Sequence, residues 1–311
     1  MRSLALIGLG LIGGSVARAA RERSLVETIR AHDPDAVQTA AGRELGFVDT
    51  VCDSIAEAVR DAELVLVAVS VAESAEVIRA VLAAAPAATI TDVGSTKGSV
   101  LRDIRATLGR VPTGFVPGHP IAGTERSGAV HADAGLFDGR RVILTPLDDT
   151  DADARERVTA FWRALGAQVV CMDAERHDRV LGATSHLPHL LAFAFGHALA
   201  AAPDGAREVA GSGFRDFTRI ARSDAELWSD ILCANRKAVA APLQAFRGSL
   251  AELEKAVEAG DAEAVEALLA AARKSLFRAS SVDAAGGGAE KNPSSPVRGR
   301  SQTGDRSTPH E

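Results

Sequence analysis

A chain of 311 residues, 46% hydrophobic and 24% charged, holds apolar surface for about two globular domains. Its formal charge of -6 argues against nucleic-acid or anionic-membrane partners, which call for a basic face, and no run approaches the roughly 18 apolar residues of a membrane span. Cys52, Cys171 and Cys233 are odd in number and widely spaced, so neither a disulfide framework nor a thiolate zinc site is signalled and a reducing cytoplasm fits best.

From the N-terminus to residue 173, short β-branched runs alternate with alanine-rich amphipathic segments. "SLALIGL", "ETIRAHD", "ELVLVAVS", "ATITDVGS", "GFVPGHP", "RRVILTP" and "AQVVCMD" read as buried strands of a mainly parallel sheet. Helical stretches such as "AESAEVIRAVLAAA" and "DADARERVTAFWRAL" lie between them, and this βα alternation predicts an α/β fold with a doubly wound sheet over residues 1–173. Over 174–282 the β-branched runs give way to leucine, alanine and charge at helical spacing, which predicts an all-helical second domain. Residues 283–311 are rich in Gly, Ser, Pro and charge, have little to bury, and read as a disordered tail.

The first strand runs into Gly8-x-Gly10-x-x-Gly13 and then a helix beginning with Leu11 and Ile12. Gly8 permits the tight turn, Gly10 lets backbone amides approach a diphosphate, and Gly13 lets helix and strand pack closely. The diphosphate would rest on the positive helix N-terminus. Asp33 follows Gly13 by twenty residues at the end of the second strand, where a carboxylate accepts hydrogen bonds from an adenosine ribose and repels a 2′-phosphate. NAD is expected in preference to NADP, with Arg30 just upstream as the one nearby cation.

Three further segments place polar groups where a sheet or helix does not need them. "TDVGSTKGS" presents Ser95 after a buried strand, "GFVPGHPIAGTERSG" presents His119, Thr124 and Glu125, and "GSGFRDFTRIARSDAELW" presents Arg215, Asp216, Arg219 and Trp228 in a helical region. Each has a plainer reading: Ser95 as a helix cap, His119 as a turn residue before Pro120, Asp216 and Arg219 as a surface pair. In "ATSHLPHLLAFAFGHALAA", His186, His189 and His197 are open to core, ligand-site or metal roles, although no third near ligand supports a metal. Pro188 fits a helix first turn or a local kink.

With "GLGLIGGS", "DVGSTK", "GHPIAGTE", "SHLPH" and "GFRDFTRIA" in this order, the sequence resembles the prephenate/arogenate dehydrogenase family of tyrosine biosynthesis over roughly residues 1–280. The resemblance implies a Rossmann-type NAD(P) domain, then a helical domain that binds substrate and builds a homodimer. It implies hydride removal from ring C4 of prephenate or arogenate with loss of the ring carboxylate as carbon dioxide. His119 then becomes the acceptor of the C4 hydroxyl proton, Ser95 its partner at that hydroxyl, and Arg219 the cation meeting a substrate carboxylate. Thr124, Glu125, Asp216 and Trp228 border the pocket, with His186 and His189 as pocket residues, His189 nearer the substrate side chain. His197 lies outside the motif and reads as a buried or interface residue. Lys97, Arg215, Asn235 and Arg236 are left as structural or interface residues, and no metal is expected. A β-hydroxyacid dehydrogenase is the competing enzyme class, which would want a lysine in the helical segment before Lys237; a non-catalytic NAD-binding sensor is the other alternative.

Overall fold

In the computed structural model, which describes residues 1–203, 205 and 208–284, the alternating runs build the strands and helices of a wound sheet. In chain order these are β1 (Ser3–Ile7), α1 (Leu11–Glu22), β2 (Thr28–His32), α2 (Ala36–Glu44), β3 (Thr50–Val51), α3 (Ile55–Ala58), β4 (Leu64–Val67), α4 (Ser74–Ala84), β5 (Thr89–Asp92), α5 (Gly98–Leu108) and β6 (Phe115–Val116). The six strands pair in parallel in the order β3-β2-β1-β4-β5-β6, which puts a change of winding direction between β1 and β4. Successive residues of β1 serve opposite faces. Leu4 and Leu6 join a core with Val16, Val158 and Trp162, whereas Ala5 and Ile7 join one with Ile78, Val81 and Ile104.

The run "GFVPGHP" does not form one strand. Pro117 has no N–H for a ladder, its carbonyl accepts from the Thr145 amide at 2.9 Å, and the chain passes into a second sheet. There β7 (Gly118–Pro120) pairs antiparallel with β8 (Arg141–Leu144), and, after α6 (Ala152–Ala164), β9 (Gln168–Cys171) pairs parallel with β8. The last two expected strands thus belong to this three-stranded sheet rather than to the main one, and the two-residue β3 is an addition.

Helices follow: α7 (Ala174–Leu181), a π turn at Gly182–His186, α8 (Leu187–Ala198), α9 (Ser212–Arg219), α10 (Ala225–Ala234), α11 (Arg236–Glu258) and α12 (Ala262–Ala284). The chain divides into two compact units, Met1–Phe246 and Arg247–Glu311, so α7 to α10 fold with the sheets. In the second unit the end of α11 turns into α12 through Gly260, whose φ of +65° suits glycine, and Asp261 caps the new helix at the Ala264 amide. The expected tail lies, beyond Ala284, outside the described residues.

Candidate active site

The carboxyl ends of β1, β5 and β6 meet at one edge of the main sheet. Gly8 has a φ of +98°, and a side chain at Gly13 would collide with the Gly8 carbonyl, so α1 starts hard against β1. The helix opens at an extended Gly10 with no side-chain cap, and apart from its chain neighbours nothing lies within 4 Å of where a Gly10 Cβ would stand. First-turn amides of Leu11, Ile12 and Gly13 have no acceptor within their helix, which suits a diphosphate. Asp33 accepts from the Leu9 amide at 2.7 Å and the Asp35 amide at 2.8 Å, fixing its half-buried carboxylate beside this loop with lone pairs to spare. Arg30 is drawn elsewhere, donating to the Arg60 carbonyl at 3.4 Å with Glu57 at 3.8 Å.

Between the ends of β5 and β6 lies a fully buried ion pair. Lys97 Nζ donates to Asp92 Oδ2 at 2.5 Å and to the Gly118 carbonyl at 2.6 Å, while Asp92 Oδ1 accepts from the Gly118 amide at 3.0 Å. Both backbone groups of Gly118 are therefore clamped, and the next residue is His119. Burial pulls the Lys97 ammonium below its ordinary pKa against the attraction of Asp92.

His119 is 9% exposed. Burial, reinforced by His177, Lys97 and His186 nearby, holds its imidazole well below the ordinary value of 6.5, so the ring is neutral at physiological pH. Its Nδ1 lies 2.9 Å from Nε2 of the wholly buried His177, whose Nδ1 lies 2.8 Å from Asp178 Oδ1. Asp178 also accepts from the Lys97 amide at 2.8 Å and the Gly98 amide at 2.9 Å, capping α5 from α7. Ser95, half-buried in the β5–α5 connection, does not cap that helix, whose boundary residue is Lys97.

The amide of Asn235 donates at 2.9 Å to both the Asp178 carbonyl and His186 Nδ1. His186 is therefore protonated on Nε2 and is 1% exposed, so this histidine is built into the packing behind the site. The π turn ends at His186, and Pro188 sits in the first turn of α8, the first of the two geometries expected of that proline. His189 bonds to the Ser185 carbonyl through Nδ1 at 2.9 Å and stacks on Trp228 with centroids 3.5 Å apart. Burial, against the Ser185 bond and with help from Arg219, lowers its pKa. Arg219 lies 3.7 Å from Glu125. Ring contacts join His189 and Trp228 to His186, Asn235 links His186 to Asp178 and so to His177 and His119, and the Arg219 charge is felt at His189. Thr124 closes an exposed turn through the Arg126 amide at 3.2 Å, Asp216 is exposed on α9 with no hydrogen bond or ion pair to Arg219 among the described residues, and His197 is exposed rather than buried.

His186 carries a pH consequence. Burial, opposed by Asp178 and aided by His177 and His189, lowers its pKa to about 4. The unfolded chain takes a proton below about 6.5 that the folded protein refuses, so stability falls as pH drops from 6.5 toward 4. At pH 5 this amounts to about 2 kcal/mol. Urea melts at pH 7 and pH 5 should show His186→Gln losing that much of the difference; an unchanged difference contradicts the assignment.

Sequence reading missed His177, Asp178 and the clamp on Gly118, and left Asn235 as structural. One signal was present: His177 and Leu181 occupy the buried face of an otherwise polar helix, and a histidine at such a core position needs a partner.

Two family models match in tandem: "Prephenate dehydrogenase, nucleotide-binding domain" over residues 16–171 and "Prephenate dehydrogenase, dimerization domain" over 173–271. The cyclohexadienyl dehydrogenase of Zymomonas mobilis subsp. mobilis is 38% identical over 272 residues, covering 84% of this chain and 90% of the relative. The prephenate dehydrogenase of Bacillus subtilis is 34% identical over 269 residues, with 84% and 71% covered. Among solved structures, prephenate dehydrogenase from Aquifex aeolicus, in complex with hydroxyphenyl propionate and NAD+, superposes with a TM-score of 0.80 at 34% identity, covering 89% of this chain and 98% of that one.

Proposed function

The chain belongs to the prephenate dehydrogenase family, and from that premise we propose how its residues carry the reaction. The protein is an NAD-dependent oxidoreductase that oxidises C4 of prephenate or arogenate with loss of the ring carboxylate, giving 4-hydroxyphenylpyruvate or tyrosine. Gly8, Gly10, Leu11, Ile12 and Gly13 hold the diphosphate on α1, and Asp33 holds the adenosine ribose. Bound there, NAD supplies the acceptor for the C4 hydride. His119 takes the proton of the C4 hydroxyl, and Ser95 bonds that hydroxyl or orients the ring.

The observation that carries this reading is His119 itself: a neutral, buried imidazole at the carboxyl edge of the sheet, held in place through Nδ1. Arg219 meets a substrate carboxylate in exchange for its loose contact with Glu125, with His189 and Trp228 forming the adjoining wall and Thr124, Asp216 and His186 at its border or behind it. Arg219→Ala should raise the substrate KM about 10- to 100-fold with a smaller change in kcat; equal losses in both would move Arg219 from binding to the chemical step. Initial rates with both substrates against both cofactors test the function, and NADH formation with prephenate, arogenate or both is the expected result. No reduction in any combination would refute it.

We further assign a homodimer built through the helices of residues 174–282, with residues 1–173 holding the nucleotide, in the cytoplasm. Val257 at 63% and Leu269 at 56% exposure leave apolar helix surface for a second copy, and Cys52, Cys171 and Cys233 are free thiols. Light scattering at a monomer mass would overturn the dimer.

A further inference from the structure

His177 and Asp178 stand directly behind His119 and have no part in the reaction above. His177 is a wholly buried imidazole with both ring nitrogens engaged, and Asp178 is 13% exposed. Burial opposes the Asp178 charge, but the His177 bond and the Lys97 and Gly98 amides outweigh it and keep the carboxyl ionised.

The protons in this chain follow from donor and acceptor chemistry once His177 carries a single proton. An ionised carboxylate only accepts, so the 2.8 Å contact to His177 Nδ1 requires a proton on that nitrogen. With that single proton, His177 has a bare Nε2, which accepts across the 2.9 Å contact from His119 Nδ1. His119 therefore carries its proton on Nδ1 and presents a free lone pair at Nε2.

We propose that Asp178 and His177 form a proton-holding relay for His119, selecting Nε2 as the base and receiving the Nδ1 proton when Nε2 takes one from the substrate. The inference rests on the reading of His119 as proton acceptor. In the forward sense the C4 hydroxyl proton goes to His119 Nε2, the Nδ1 proton passes to His177 Nε2, and the positive charge comes to lie against the Asp178 carboxylate. As the C4 hydrogen leaves with its electron pair to the nicotinamide, the oxygen becomes a carbonyl. Breakage of the C1–carboxylate bond then releases carbon dioxide, and its electron pair restores charge to that oxygen. The oxygen takes the proton back from His119 Nε2 to give the phenol, and the relay resets.

No net proton is released, so the relay needs no outlet to solvent. The observed construction fits that need. Beyond His177, Asp178 is occupied by two backbone amides, Lys97 is committed to Asp92 and Gly118, and His186 Nδ1 already accepts from Asn235. A charge placed on His177 is stabilised there and has nowhere further to go.

The relay is tested first without turnover. Two-bond ¹H–¹⁵N correlation spectra of the histidine-labelled full chain, with His119 assigned by loss of its signals in His119→Gln, should show His119 protonated on Nδ1. A proton on Nε2 overturns the proposal. His177→Gln keeps an acceptor oxygen for His119 Nδ1 but takes no proton, so kcat should fall about 100-fold while KM for substrate and for NAD stays within about threefold. Asp178→Asn can donate to His177 Nδ1, reverse both tautomers and block Nε2, and its spectrum should show that reversal. Full turnover in His177→Gln with an inactive His119→Asn would sink the relay alone; an active His119→Asn would sink the base assignment as well. If His177→Gln fails to fold, the spectrum of the unsubstituted protein decides.

Discussion

His119→Asn is expected to lower kcat by about 10²- to 10⁴-fold while leaving substrate KM within about threefold. Asparagine keeps a polar group of similar reach on β7 but cannot accept the hydroxyl proton at neutral pH. In the proposed mechanism the loss belongs to the transition state, because substrate binding is assigned to Arg219 and the wall around Trp228. Steady-state rates at saturating NAD measure it, and near wild-type turnover would remove the base. The pH profile supplies the companion result. His119 lies well below 6.5, so it stays neutral and competent as pH falls through that value. Any acid limb of kcat/KM that reports His119 should fall below pH 6.5; protonation with an ordinary imidazole pKa would contradict the burial described here.

The second large effect is on stability. Lys97→Met leaves Asp92 wholly buried with amide donors but no counter-charge, and strips the Gly118 carbonyl of its partner. Removing one partner of such a pair costs about 3–5 kcal/mol. Urea unfolding should show that loss, and adding Asp92→Asn to Lys97→Met should recover part of it, because the unpaired charge is gone. A cost under about 1 kcal/mol, the value for an exposed pair, would mean that the pair is solvated. Since the pair clamps Gly118 on both sides, any loss of activity in Lys97→Met reports a displaced His119 and should appear in kcat.

The parts of this protein that were legible in sequence are those written in local pattern. The glycine turn, Asp33 twenty residues on, the β-branched runs and the helical second half each follow from spacing that one element imposes on its own residues. Ser95 and His119 were legible as polar residues just past buried strands. What escaped was set by partners far apart in the chain. His177 meets His119 across 58 positions, Asp178 caps α5 across 81, and Asn235 reaches His186 across 49, so local periodicity marks at most the buried place of His177 in α7 and announces none of these partners. The break of "GFVPGHP" turned on Pro117, whose missing donor was visible but whose consequence, a change of sheet, depended on pairing with β8. His186 was read as a pocket residue because the motif contains it; its Nδ1 faces Asn235, which only the packing of the α10–α11 junction decides.

In the proposed reaction a buried imidazole couples oxidation at C4 to loss of the ring carboxylate. The direct measurement is the stoichiometry of NADH and carbon dioxide formed from prephenate or arogenate carrying label in the ring carboxylate. One mole of each per mole of substrate consumed is the predicted result, with both slowed together in His119→Asn. NADH without labelled carbon dioxide, or labelled carbon dioxide without NADH, would contradict it.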